Sequence, residues 1–355
     1  MQLHFTDEDW ARIERDWTAW WAGELDRPLV MVERVDPPAD PARPHPICFA
    51  AYYGLDMPVD ELLDRYQAEL EVTHWYGDAF PKWWPNFGPG IAAAFLGARA
   101  HATPDTVWFD VLAPRPIADL RPAYDPFNPW WQRVCEVTER AVARWGDRVT
   151  VGYTDIGGNL DILASLRTTQ NLLADLCDAP GEVARLSREV TGLWLRYYAE
   201  LEGLVARGRR GRSPWAPLWS PASCYMLQSD FAYMISPRMF ERFVLPDVAA
   251  CCDAMENAFY HLDGKGQIPH LDMLLSLERL AGVQWVPGDG APPPEEWLPL
   301  LKRILDAGKL CQLCVTAAGA LKIVRSLGGK GFALYVTDDL TEDEATDFLR
   351  SIATA

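Results

Sequence analysis

The chain of 355 residues carries 33 basic against 50 acidic side chains, a net charge of −17, and 49% of it is apolar and 12% aromatic, with 16 Trp. Burial of that much apolar surface offsets the entropy of folding and excludes a disordered chain. The acidic balance opposes a broad phosphate-tracking surface, so nucleic acid and anionic membrane are set aside as partners. The opening Met-Gln-Leu-His-Phe-Thr lacks a basic n-region and an apolar h-region, and no later run is long enough to span a bilayer, so a cytoplasmic location is expected. Eight scattered cysteines suit reduced thiols better than a disulfide framework.

In chain order, residues 28–35 read as a first strand, followed by a proline-broken excursion from Asp36 to Pro46 in which helix and ladder are both forbidden. Residues 80–87 and 149–156 supply the second and third strands. Between them lie over sixty residues, including 98–108 and the proline-broken 114–129. Residues 214–220 read as the fourth strand. The basic run Arg207 to Arg212 before it reads as a solvated loop, because no aromatic platform accompanies it.

From residue 258 onward, short β-rich runs alternate with amphipathic helices: strand 258–263, helix 270–280, strand 282–287, helix 295–307, strand 309–315, helix 318–327, strand 332–337 and a last helix opened by the capping box Thr341-Glu-Asp-Glu344. This βα repetition predicts an α/β fold: a (β/α)8 TIM barrel in one domain spanning 1–355, with an N-terminal extension. Its insertions, at about 36–75 and 88–147, leave from the catalytic face. They are expected to roof the barrel mouth with Trp75, Tyr76, Trp83 and Trp84.

Functional side chains of such a barrel belong at the C-terminal ends of its strands. On the fifth strand His261 and Asp263, two residues apart, share one face while Tyr260 and Leu262 take the other. The remaining strand ends offer Trp84, Asn86, Asp155, Asn159, Ser220, Trp285, Gln312 and Cys314, and the loop after the fourth strand adds Gln228 and Asp230. His261, Asp263, Asp155 and Asp230 are the catalytic candidates. Trp84, Asn86, Asn159, Gln228, Trp285, Trp75 and Tyr76 are the substrate-binding ones, and His261, Asp263 and Cys314 the metal ligands. The set holds no lysine or arginine, so a highly anionic substrate would find little compensation.

Ordinary roles compete with these. Asp155 and Asp230 could cap helices, and the indoles could be core. The second His-Leu-Asp, at 270–272, reads as a capping arrangement. Cys311-Gln-Leu-Cys314 would place its sulfurs on opposite sides of a strand, and Gly288-Asp-Gly-Ala-Pro-Pro-Pro294 lacks the lysine and the following helix of a phosphate loop.

The segment Gln228-Ser-Asp-Phe-Ala-Tyr-Met-Ile-Ser-Pro-Arg-Met-Phe-Glu-Arg-Phe-Val-Leu-Pro246, then Tyr260-His-Leu-Asp-Gly264, Gln284-Trp-Val-Pro-Gly288 and Gly308-Lys309, resembles in order the uroporphyrinogen decarboxylase superfamily. The likeness runs from about residue 149 to the C-terminus and looks closest to the uncharacterised, decarboxylase-like branch. It implies a TIM barrel and one of two activities. The true decarboxylases carry an Arg-rich N-terminal motif, where this chain reads Asp26-Arg-Pro-Leu-Val-Met-Val-Glu-Arg34. The corrinoid-linked methyltransferases carry a zinc site with His-x-Cys in the fifth strand and a further Cys near the eighth, where this chain has His261, Asp263 and Gly331-Phe332.

Three readings therefore stay open. The leading one is methyl transfer to or from a small substrate, with a corrinoid protein as partner and Zn at His261 and Asp263. The second is decarboxylation of a small carboxylate, which requires no cofactor and uses Asp263 to orient His261 as an acid or base. The third is a non-catalytic barrel that binds a small molecule or a corrinoid protein.

Overall fold

A computed structural model describes residues 1–38 and 40–355; Ala39, inside the predicted proline-rich excursion, lies outside the described residues. The first half contains α1 (Asp7–Trp21), β1 (Leu29–Val35), α2 (Val59–Leu70), β2 (Thr73–Gly77), β3 (Lys82–Trp83), α3 (Ala92–Phe95), β4 (Arg99–Ala102), β5 (Val107–Asp110), α4 (Pro129–Trp145) and β6 (Thr150–Val151). Next come α5 (Asn159–Arg167), α6 (Thr169–Asp178), α7 (Pro180–Val205), β7 (Cys224–Gln228), α8 (Pro237–Phe243), α9 (Leu245–Asp253) and β8 (Asn257–Asp263). The chain ends with α10 (Leu271–Leu275), β9 (Leu280–Val286), α11 (Leu298–Asp306), β10 (Leu310–Val315), α12 (Ala317–Leu327), β11 (Phe332–Val336) and α13 (Glu342–Ala353).

The main sheet has seven strands in the order β2-β1-β11-β10-β9-β8-β7, parallel throughout except for the antiparallel edge strand β2. β3 and β6 form a separate parallel pair, and β4 and β5 a hairpin. The arrangement is TIM-barrel-like, but its ladder is not closed, which corrects the expectation of a closed barrel. The physical cause lies in the sequence: Pro81, Pro85 and Pro89 withhold ladder donors around β3, which shrinks from eight predicted residues to two.

A second correction concerns the fourth strand. Residues 214–220 have no strand ladder, and the strand is Cys224–Gln228, five residues buried throughout. Pro214, Pro217 and Pro221 argue against the earlier segment, whereas 224–228 lacks Pro and Gly. Ser220 consequently sits at the N-terminal end of the barrel: its Oγ accepts from Asn257 Nδ2 (2.9 Å) at the start of β8. The predicted helix 270–280 shrinks to α10 after a 3₁₀ turn at Lys265–His270, and His270 makes no capping bond. Its imidazole is buried, stacked 4.4 Å from Phe240 and bonded to Ala232 O (3.0 Å).

The N-terminal helix α1 was not read from the sequence, and it closes the bottom of the barrel. Trp10, Trp17 and Trp21 donate their indole N–H groups to Arg148 O (3.2 Å), Asp78 O (3.1 Å) and Trp219 O (2.8 Å), all just before barrel strands. Trp20 stacks on Phe259 at 5.9 Å. Buried apolar side chains from Trp10 to Ile352 form one continuous cluster. The basic run is not merely solvated: Arg207, Arg210 and Arg212 pair with Glu139, Asp7 and Glu202. No helix among the described residues is long and apolar enough to cross a membrane.

Candidate active site

β8 alternates as its sequence requires: Tyr260 and Leu262 are fully buried on one face, while His261 and Asp263, half-buried, take the other. Gly264 (φ 78°) then turns the chain, and a Cβ there would lie 2.9 Å from the Tyr233 ring. One strand over, β7 ends at Gln228 and the chain enters a 3₁₀ turn at Asp230–Met234. These two strand ends bring Asp230, His261 and Asp263 together, with one donor atom from each within 4.8 Å of the others.

Water reaches Asp230 from the mouth, yet the protein packed around its carboxyl raises its pKa; His261 opposes that shift and Asp263 adds to it. His261 donates from Nδ1 to Gln284 Oε1, and its ring meets the Trp215 indole edge-on at 5.2 Å. The other ring nitrogen, Nε2, is left for the carboxylates or a cation. Two oxygen donors and one imidazole suit a divalent ion of intermediate hardness, such as Zn2+, Mn2+ or Fe2+.

Behind the three lies a second acidic layer. Gln228 Nε2 approaches Asp155 Oδ2 (3.4 Å), and the other Asp155 oxygen accepts from Gly157 N (2.8 Å), so Asp155 holds the turn ahead of α5. Burial pushes Asp155 up to about 7. Asp161, on the first turn of α5, is pushed up to about 8 by burial and by Asp230. Its place on an amphipathic helix gives no local sign of a site role.

Two clefts flank the triad. One, about 340 Å³, is lined by Gln228, Asp230 and Asp161 and by Trp108 and Phe109 of the β4–β5 hairpin. The other, about 290 Å³, is lined by Asp263, Tyr233 and the loop from Pro287 to Ala291. Three larger hollows, about 420, 540 and 810 Å³, include none of the three residues.

The other candidates scatter. Trp84 is half-buried beside Gly152, whose added Cβ would lie 3.0 Å from that of Trp84, and Asn86 accepts from Gly88 N (3.1 Å) in the loop above β3. Asn159 is buried and donates to Phe243 O (3.2 Å). Trp285 alternates with Gln284, so it points out of the sheet and packs on Trp297 at 5.2 Å. Trp75 meets Phe5 and Tyr76 stacks near His74, both on the antiparallel edge strand. The aromatics above Asp230 are thus Trp108 and Phe109. Cys314 stands 3.9 Å from Gln312 Nε2 and outside the triad, where Asp230 takes the third place; Cys311 is buried on the opposite face.

One buried cation lies one residue removed from His261, across Trp215. Lys82 of β3 is enclosed and donates to Trp215 O (3.3 Å) and Ala216 O (2.5 Å), beside the indole that meets His261. Burial pushes its amine down to about 7, and Glu33 works against that shift. Burial in turn raises Glu33, which accepts from Tyr335 OH (3.2 Å).

No family model matches the sequence, and no curated protein matches it. Among solved structures, a methyltransferase from Methanosarcina mazei aligns with a TM-score of 0.63 at 10% identity, over 96% of this chain and 98% of that one. A B12-independent methionine synthase from Shewanella sp. W3-18-1, in complex with selenomethionine, aligns at 0.38 and 11% identity over 73% of each chain. The first likeness is one of fold; the second is too distant to carry an argument.

Proposed function

We propose that this chain is an enzyme in which Asp230, His261 and Asp263 hold one divalent metal ion, and that it transfers a methyl group to a small acceptor bound at the barrel mouth. The observation that carries this reading is the gathering of two carboxylates and an imidazole within 4.8 Å, with the imidazole's Nδ1 already engaged elsewhere. A bare Nε2 and two carboxylates repel one another unless a proton or a metal cation lies between them. A bound Zn2+ would act there as a Lewis acid, lowering the pKa of a thiol, alcohol or water that reaches it.

The chain's own residues do the rest. Asp230 and Asp263 would neutralise the ion, His261 would complete the set, and Trp108 and Phe109 would shield the acceptor from water. The fold likeness to a methyltransferase favours methyl transfer, and a corrinoid protein is the proposed methyl source. Decarboxylation of a small carboxylate is the second reading. Lys82 favours it, because a buried amine near the site can pair with a carboxylate.

The test is elemental analysis after dialysis against Zn2+. One ion per chain is expected, with His261→Ala and Asp263→Ala losing it while thermal unfolding stays close to that of the parent. A parent protein that takes up no metal would overturn the reading. Metal-free release of labelled CO2 from a small carboxylate would replace it with the second.

A further inference from the structure

Gln228, His261, Gln284 and Gln312 stand opposite one another on β7, β8, β9 and β10, so alternation turns all four to the same side of the sheet. The three glutamines are buried, Gln312 completely. A buried amide is costly unless both of its ends find partners, and the partners here have a direction. Gln312 Nε2 donates to Leu313 O (3.0 Å), Gln284 Nε2 donates to Gln312 Oε1 (2.5 Å), and Gln284 Oε1 accepts from His261.

A backbone carbonyl can only accept, so Leu313 O obliges Gln312 to present its NH2 group. The remaining oxygen of Gln312 then obliges Gln284 to present its own NH2 group, which leaves Gln284 only an oxygen for the imidazole. That oxygen requires a proton on Nδ1.

We infer that Gln284 and Gln312 are positioning residues that lock His261 in the Nδ1-protonated tautomer, keeping Nε2 as the nitrogen that binds a cation. The lock is set by the backbone of β10 and relayed across two strands, so the imidazole arrives at the mouth already oriented. Its use in catalysis rests on the metal-binding reading above; the tautomer itself does not. Supporting partners of a ligating histidine are worth 10- to 100-fold in metal affinity in other proteins.

The experiment uses the full chain with 15N-labelled histidine, free of metal, at a pH where the imidazole is neutral. The parent should show His261 protonated at Nδ1 and bare at Nε2. Gln284→Met, apolar and of similar size, should give a mixture of tautomers and bind Zn2+ roughly 10- to 100-fold more weakly. Gln284→Glu retains an acceptor and should restore the tautomer and most of the affinity. Gln312→Met should behave as a weaker Gln284→Met. A parent bare at Nδ1, or an unchanged tautomer in Gln284→Met, overturns the inference. If the parent binds no Zn2+ yet shows the tautomer and its loss in Gln284→Met, the positioning role stands and the metal reading falls. Should Gln284→Met unfold, Gln284→Glu and Gln312→Met decide the matter.

Discussion

Asp161 accepts hydrogen bonds from the backbone N–H groups of Asp230 (3.1 Å) and Phe231 (2.7 Å), so one enclosed carboxyl holds the turn on which another is presented to the site. The sequence separates the two by 69 residues, and only the meeting of α5 with the end of β7 joins them.

Asp161 should therefore act on Asp230 through position. Asp161→Ala leaves two N–H groups without their acceptor, at about 1–3 kcal/mol of stability. It also frees the turn, so Zn2+ affinity should fall roughly tenfold. Titration calorimetry with Zn2+, read beside the urea midpoint, checks this; a lowered midpoint with unchanged affinity would reduce Asp161 to a structural cap.

Several buried carboxyls share a raised pKa, and one of them lies away from the mouth. Asp247 of α9 accepts from the Thr191 hydroxyl of α7 and is pushed from 3.8 up to about 7, because burial outweighs that bond and the one from the Asn159 backbone. A carboxyl raised on folding binds its proton more tightly in the native state, so its contribution declines as pH climbs from about 4 towards 7 and is lost above that. The slope is about 1.4 kcal/mol per pH unit. Asp247→Asn keeps the acceptor for Thr191 and removes the titration. Its urea midpoint should match the parent near pH 4 and exceed it at pH 8; parallel profiles would show that Asp247 does not titrate in this range.

The sequence made the C-terminal half legible because each unit there spells one strand and one helix. His261 and Asp263 share a face by strand alternation alone, and Asp230 could be named because it follows a strand end. What could not be read was long-range. Gln284 and Gln312 are ordinary strand residues until register sets them beside His261. Lys82 lies within a strand run, with nothing local to mark it as enclosed. Tryptophan was the hardest to place: Trp285 obeys the same alternation as His261 but falls on the opposite face, and the aromatics that line the cleft at Asp230 come from a hairpin at 99–110 whose strands of four residues give little periodicity.

Three tryptophans separate the packing and site roles. Trp83 is buried edge-on against Trp145 (5.2 Å) and beside Tyr66 (5.3 Å), so Trp83→Ala should cost about 3–5 kcal/mol while leaving KM for the proposed acceptor near that of the parent. Trp84, its neighbour, is half-buried beside Gly152 and lines neither cleft at the triad, so Trp84→Ala should also leave KM near that of the parent, with a smaller midpoint loss than Trp83→Ala. Trp108 is 46% exposed, stacked on His101 at 5.1 Å, and lines the cleft that holds Asp230. Trp108→Ala should shift the urea midpoint by well under ~1 kcal/mol and raise KM several-fold, the amount expected from one aromatic contact of about 1 kcal/mol. Equal KM for the Trp108→Ala variant and the parent would remove the hairpin from the site, and a raised KM in Trp84→Ala would bring that indole into it.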